Sequence, residues 1–278
     1  MATTRTHEFH GYAEVVAALA DPALVPIAPT ESASAAPDSM GTAAWLRAHV
    51  ARFAHGPQHA RRRALIEAEL ARIDPEALRA SAAQPDSQGL DPRGRAACVL
   101  AQALGLADPE RIAADVGIVA AVYFGGDGPD SDAAVARLVE AFAHRPGRPS
   151  DPEEIANSIG ILVQAYEATG SLVEHAAAHL TENIEAFEAD SVVRETLRYD
   201  PPLTAMRRVA VHATRVAGVE IGEGDLVTLE IARANRDPDA ADVLTFGSEP
   251  RRCPGSAHAL ALAAGILESA CAEKQGPK

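Results

Sequence analysis

Cys253 is the residue of this sequence with the most chemistry to offer. It stands between Arg251-Arg252 and Pro254-Gly255, just ahead of an alanine-rich apolar stretch, Ser256 to about Glu273, that reads as a helix. The N–H groups at a helix start and two adjacent guanidinium groups both favour a thiolate over a thiol, and a thiolate can ligate a metal. Local context also allows the blander reading of a small buried hydrophobe, which describes most cysteines. Cys98, on an apolar helix face, and Cys271, near the end of the sequence, read as structural. Three cysteines cannot pair into a disulfide framework, and their spacing matches no zinc motif.

The elements that must position Cys253 follow from composition and periodicity. The 278 residues are 47% hydrophobic and 23% charged, the balance of a globular protein with a sizeable core. Aromatic residues are only 4% and alanine recurs throughout, which favours helices packed through small side chains. Helices are expected at Thr42 to Phe53, Gln58 to Arg72, Arg93 to Leu104, Pro109 to Tyr123 and Asp132 to Ala143. The longest runs from Asp151 to about His179, with Ser150 as its cap, Pro152 in the first turn, and Glu153 and Glu154 complementing the helix dipole. Its apolar residues Ile155, Ile159, Leu162, Val163, Tyr166 and Val173 recur at three and four, so this is the central helix. A shorter helix, Ser191 to Tyr199, stops before Pro201-Pro202. Only Arg207 to Ile231 reads as β, a hairpin turning at Gly222-Glu223-Gly224-Asp225. Ile27 to Asp38 and Ala82 to Gln88 read as loops.

Charge and hydropathy exclude several classes. A net charge of −14 argues against general affinity for nucleic acid. The apolar runs Val116 to Phe124 and Ala259 to Leu267 are too short to span a bilayer, and Met1 to His10 lacks the apolar core of a secretory signal, so a cytoplasmic protein without a membrane partner is expected.

The loop Phe246-Gly247-Ser248-Glu249-Pro250-Arg251-Arg252-Cys253-Pro254-Gly255 resembles the cysteine-ligand loop of the cytochrome P450 family, Phe-Gly-x-Gly-x-Arg-x-Cys-x-Gly, at five of six fixed positions. Upstream, Glu195-Thr196-Leu197-Arg198 followed by Tyr199-Asp200-Pro201-Pro202 is similar to that family's Glu-x-x-Arg helix and its sequel. Gly56 to Arg63 looks like the start of its C helix, Gly11 to Pro22 like its B helix, and Asn235-Arg236-Asp237-Pro238 like a stretch after its hairpin. The resemblance implies a mainly α, truncated cytochrome P450-like fold with a small β-hairpin or sheet and a long central helix, forming a single haem-binding domain over 1–278. It implies haem b (iron protoporphyrin IX) with Cys253 as metal ligand and with Phe246 and Gly255 in the cofactor loop. His59, Arg63, Arg208 and Arg251 would meet the haem propionates. Buried carboxylates need charge-assisted donors, and the fork of arginine suits them.

The sequence also departs from the family. It begins where the B helix would, so the A helix and first sheet strands have no counterpart. The stretch from Leu106 to Asp151 is too short for full-length F and G helices, the meander between Pro238 and Phe246 is almost absent, and only 25 residues follow Cys253. Glu195 and Arg198 therefore lack their third partner. In Ile161 to Thr169 the family's acid survives as Glu167, but Ala168 replaces the threonine that helps deliver protons. Gln164, Ala165 and Ala168 would face the haem together, which nominates Gln164 beside Glu167 as a catalytic residue. Glu249 replaces a glycine of the cysteine loop, next to the thiolate. The resemblance thus implies a monooxygenase-type haem-thiolate oxidoreductase acting on a small or carrier-bound metabolite of secondary metabolism, by peroxide-driven or non-oxidative chemistry in place of ordinary oxygen activation. A ferredoxin-type electron donor would dock on Arg61, Arg62 and Arg252. The alternatives are a catalytically silent partner or activator of another enzyme, and a haem sensor.

Overall fold

The computed structural model describes residues 4–29, 38–86, 89–126, 128–146, 151–180 and 188–275. They fall into two compact units: Met1–Ile27 with Arg194–Cys253, and Ala28–Val193 with Pro254–Lys278. The mainly helical architecture with small sheets and a long central helix is the one implied by the sequence.

The first unit is built on a four-stranded sheet. Strands β1 (Thr6–Phe9), β2 (Leu24–Pro26), β3 (Met206–Ala210) and β6 (Leu226–Leu229) lie in the order β1-β6-β3-β2, with β1 parallel to β6 and the other pairs antiparallel. Between β1 and β2 runs α1 (Tyr12–Ala20), which buries Val15, Ala18 and Leu19 in a core with Phe9, Val227, Leu229 and Ile231. Two β expectations are corrected here. The sheet has strands at both ends of α1, because short strands of four and three residues that pair with partners about 200 positions away leave no local pattern to read. The hairpin does not turn at 222–225: β4 (Thr214–Val216) pairs with β5 (Val219–Ile221) across Ala217-Gly218, both with positive φ, as a two-residue hairpin loop requires. Gly222 to Asp225 instead closes on itself, with the Gly222 amide donating to the Asp225 carboxylate at 2.9 Å. The same carboxylate accepts from the Arg5 amide at 2.9 Å, which aims the chain into β6 beside β1.

The second unit is helical: α2 (Ala43–His49), α3 (Gly56–Leu70), α4 (Pro75–Ala82), α5 (Pro92–Ala103), α6 (Pro109–Ala120), α7 (Ser131–Ala143), α8 (Pro152–Ala178) and α11 (Ser256–Gln275). The expected helix from Thr42 to Phe53 is broken at Val50, whose extended backbone separates α2 from a 3-10 turn at Ala51–Phe53. Helix α4 was not anticipated, although Asp74 caps it and Pro75 opens it. Central helix α8 is capped by Asp151, whose carboxylate accepts from the Glu153 and Glu154 amides at 2.9 and 3.2 Å; the expected cap, Ser150, lies outside the described residues. Helix α8 packs so closely on α5 that a Cβ on Gly170 would meet Arg93 Cγ at 2.3 Å and Arg93 Cα at 2.8 Å. Two short helices, α6 and α7, fill the span between Leu106 and Asp151. Helix α9 (Ala189–Tyr199) leads into the first unit, where α10 (Ile231–Ala234) follows β6.

Candidate functional site

The residues nominated from sequence fall in both units, and each group has its own setting. In the first unit, the cysteine loop is held by its backbone. The Gly247 amide donates to the Leu244 carbonyl at 2.8 Å, the Arg251 amide to Ser248 at 3.1 Å, and the Cys253 amide to Phe246 at 2.8 Å. Gly247 has a φ of +72°, left-handed backbone that a glycine adopts without strain. The structure therefore brings Phe246, Arg251 and Cys253 together, and it leaves Cys253 exposed, three residues ahead of α11. The Ser248 hydroxyl is buried within this loop with no hydrogen-bond partner.

Asn235 anchors the loop to the rest of the unit. Wholly buried, it accepts from the Leu244 amide at 2.7 Å and donates through its side-chain nitrogen to the Leu197 carbonyl at 2.8 Å and to Thr245 Oγ1 at 2.9 Å. One amide side chain thus ties the end of α9 to the segment that enters the cysteine loop. Asp237 works alongside it, accepting from the Tyr12 amide at the start of α1 at 2.9 Å, and this contact holds its carboxyl below the usual range. Asn235 was noted in sequence only as part of a family-like stretch; its role depends on three contacts that no local spacing reveals.

Arg208, on the central strand β3, is 6% exposed. It donates to the Arg207 carbonyl at 2.9 Å and approaches Met206 Sδ at 3.8 Å. Arg252, at the rim of the loop, pairs with Asp242 at 3.3 Å. On α9, Glu195 is exposed, and among the described residues no ion pair joins it to Arg198.

In the second unit, His59 and Arg63 lie one turn apart on α3, both half-buried, and Arg63 pairs with Glu67 at 2.7 Å. Gly255 packs against Leu70, the nearest atom to a Cβ built on it, at 3.6 Å. Gln164 turns back along α8, its side-chain nitrogen donating to the Gly160 carbonyl at 3.0 Å. Glu167 is exposed and bound to Arg93 at 2.9 Å, while Glu174 takes the same guanidinium from the next turns; the two carboxylates hold Arg93 above the usual arginine range. Ala168 is exposed and Ala165 half-buried.

The expected basic patch is corrected. Arg62 is 3% exposed and serves as an internal brace, donating to Glu153 at 2.8 Å and to the Ala48 and Val50 carbonyls at 2.9 and 3.2 Å. Arg61 shares Glu153 from outside, and the two guanidinium groups, Arg61 first, hold that carboxyl below the usual glutamate range. Of the three arginines, Arg61 and Arg252 are at the surface.

Within the first unit the donor set is of the type a haem needs: one exposed sulfur on a backbone-locked loop, a buried guanidinium at Arg208, and a further cationic donor at Arg251. A single soft protein ligand and several forked donors suit an iron porphyrin with two acidic arms.

Comparison with known proteins agrees with this setting. No protein-family model matches the chain. It is 34% identical over 144 residues to an erythromycin C-12 hydroxylase of Saccharopolyspora erythraea, covering 49% of this chain and 36% of that protein. It is 32% identical over 151 residues to cytochrome P450 109 of Bacillus spizizenii, covering 45% and 37%. The match thus spans little more than a third of the length of these relatives. Among solved structures, a thermophilic cytochrome P450 from Sulfolobus tokodaii superposes with a TM-score of 0.73 at 18% identity, over 98% of this chain and 88% of that one. P450BioI, solved in complex with an acyl carrier protein ligated to hexadec-9Z-enoic acid, superposes at 0.71 with 20% identity, over 94% and 83%. Over about half of its sequence, and in fold over most of its length, the chain is similar to cytochromes P450.

Proposed function

We propose that this chain is a haem-thiolate oxidoreductase of the cytochrome P450 type, with Cys253 as the iron's protein ligand. The observation that carries the reading is the exposed Cys253 sulfur on a loop closed by the Cys253 amide to the Phe246 carbonyl at 2.8 Å. Haem b ligated by a thiolate supplies redox chemistry, the sulfur pushing electron density onto the iron. Arg208, Arg251, His59 and Arg63 would fasten its propionates; for Arg63 this would mean sharing its guanidinium with Glu67.

The residues of α8 bear on what the protein does with the group. Ala168 has no hydroxyl with which to pass a proton, and Glu167 would have to leave Arg93 before it could carry one. Gln164 has one amide N–H committed to Gly160, so its contact with a ligand would use its other N–H or its carbonyl oxygen. These features favour peroxide-driven or non-oxidative chemistry over ordinary oxygen activation. The substrate is a small or carrier-presented metabolite, in keeping with the erythromycin hydroxylase and with the carrier-protein complex of P450BioI. A ferredoxin-type donor would use Arg61 and Arg252. Among the described residues, no helix is long and apolar enough to cross a membrane.

A second reading, a catalytically silent partner or haem sensor, is favoured by Glu195 and Arg198: Glu195 is exposed, Arg198 half-buried, and among the described residues no ion pair joins the two. One measurement separates the two. Absorption of the purified protein with and without haem, then reduced under carbon monoxide, is expected to show the red-shifted band of a thiolate ligand that Cys253→Ser abolishes. Absence of haem uptake overturns the enzyme reading; haem uptake without a shift by metabolites or peroxide consumption favours the sensor.

A further inference from the structure

Arg52 stands apart from the other well-packed arginines of its unit. Arg62, Arg79, Arg93 and Arg145 each meet at least one carboxylate. Among the described residues, no carboxylate or carbonyl accepts from Arg52; its guanidinium lies 5.8 Å from the centroid of the Phe53 ring and 5.5 Å from that of Phe124. Burial pushes its pKa down, the mark of a cation short of compensation, with the nearby Tyr123 hydroxyl partly offsetting that.

Tyr123 is the second anomaly in the same place. It is 1% exposed, yet its hydroxyl has no hydrogen-bond partner. Buried phenols nearly always find one, because a donor taken out of water without an acceptor is left uncompensated. Burial keeps the phenol protonated, so it remains a donor. Its ring lies 5.3 Å from Phe53 and 5.3 Å from Phe124. On the α8 side the hydroxyl faces Gly160: a Cβ built there would lie 3.8 Å from Tyr123 Oη, 3.6 Å from Gln164 Nε2 and 3.2 Å from Val50 Cγ1.

We propose that Arg52 and Tyr123, with the rings of Phe53 and Phe124, form a binding site for a small organic acid with an apolar body. The carboxylate pairs with the Arg52 guanidinium and accepts from the Tyr123 hydroxyl, and the apolar body lies against the rings. One positive charge and one neutral donor match a monoanion, and the fork of arginine matches the two oxygens of a carboxylate. A cationic ligand would be repelled by Arg52. The net charge of −14 gives no general attraction for anions, so recognition has to come from this local cation. Tyr123 is sealed from solvent, and a ligand reaches it when Phe124 swings aside; that ring is 64% exposed, so the movement forfeits little packing. The proposal does not depend on Cys253 ligating haem.

Isothermal titration calorimetry on the purified full chain tests it, with 4-phenylbutyrate, its methyl ester, its N-acetylcysteamine thioester and 4-phenylbutylamine as probes. The free acid is expected to bind, the two esters at least about 10-fold more weakly, and the amine not at all. Arg52→Gln is expected to weaken the acid about 10- to 100-fold, and Tyr123→Phe about 3- to 10-fold, with circular dichroism unchanged. No binding of the acid, equal binding of acid and esters, or wild-type affinity in Arg52→Gln overturns the proposal. Wild-type affinity in Tyr123→Phe removes the hydroxyl from it. The reduced carbon monoxide band is expected to be the same in Arg52→Gln as in wild type, so failure here and failure of the haem reading are told apart.

Discussion

The cysteine loop and the middle of α8 carry the two halves of the chemistry nominated from sequence, and they are built in opposite ways. In the loop, backbone amides of Gly247, Arg251 and Cys253 hold the chain, and the reactive side chain is left at the surface. In α8 the backbone is satisfied by the helix itself, and the nominated side chains are taken up by neighbours: Gln164 by the Gly160 carbonyl, Glu167 by Arg93. A loop closed by its own backbone does not need its functional side chain to hold its shape, whereas a functional group on a packed helix is available only as far as the surrounding structure allows.

The sharpest way to break this contrast is Cys253→Ser. Haem binding with a thiolate signature is expected to disappear while far-ultraviolet circular dichroism stays unchanged, because none of the backbone bonds of the loop uses the sulfur. An identical optical spectrum in the variant would remove the loop's claim to function. Asn235→Ala comes next. It strands the Leu244 amide in a buried site, leaves the Leu197 carbonyl only a 3.4 Å contact from the Thr245 hydroxyl, and is expected to cost about 3 kcal/mol in denaturant unfolding. Reaction of Cys253 with a thiol reagent should change with it, and unaltered reactivity would show that the loop holds itself without this anchor.

On the helical side, Arg62→Met removes the brace between α3, the segment at Ala48 to Val50, and Glu153 on α8. A loss of about 2 kcal/mol is expected, read as a lower denaturation midpoint at constant slope. Arg61→Met, acting on the same carboxylate from the surface, should cost much less, and equal effects would contradict the burial difference.

Acid titration probes the backbone-held region through Asp225. His7, then the Arg5 and Gly222 amides, hold its carboxyl well below the usual range. A carboxylate with a depressed folded pKa stabilises fully above its unfolded value, about 3.9, and that contribution is lost as pH falls through this value toward the folded one. Stability of Asp225→Asn should therefore fall less steeply than wild type below about pH 4. Parallel curves would mean that the three contacts carry no net preference for the charged form. The smallest effect is expected from Glu167→Gln. Its exposed pair with Arg93 contributes about 0.5 kcal/mol, and Glu174 remains to hold the guanidinium. A large loss of turnover with so small a loss of stability would return Glu167 to the chemistry and narrow the contrast between loop and helix.

Much of this arrangement was legible in the linear sequence. The wording of Phe246 to Gly255, the order of Glu195-Thr196-Leu197-Arg198 before it, and the 3.6-residue periodicity from Ile155 to Val173 carried the family likeness, the long central helix and the position of Cys253 ahead of α11. These are local properties, set by turn chemistry, capping and apolar spacing within a few residues. Tertiary structure alone decided that β1 pairs with β6 across more than 200 residues, that Arg62 is a brace and not a surface charge, and that Asn235 anchors the cysteine loop. It likewise left Arg52 and Tyr123 without acceptors among the rings of Phe53 and Phe124. The physical reason is common to all four: whether a polar group is buried, and what it meets there, depends on segments far away in the chain, and one residue's type says only what it could bond, not what stands opposite it.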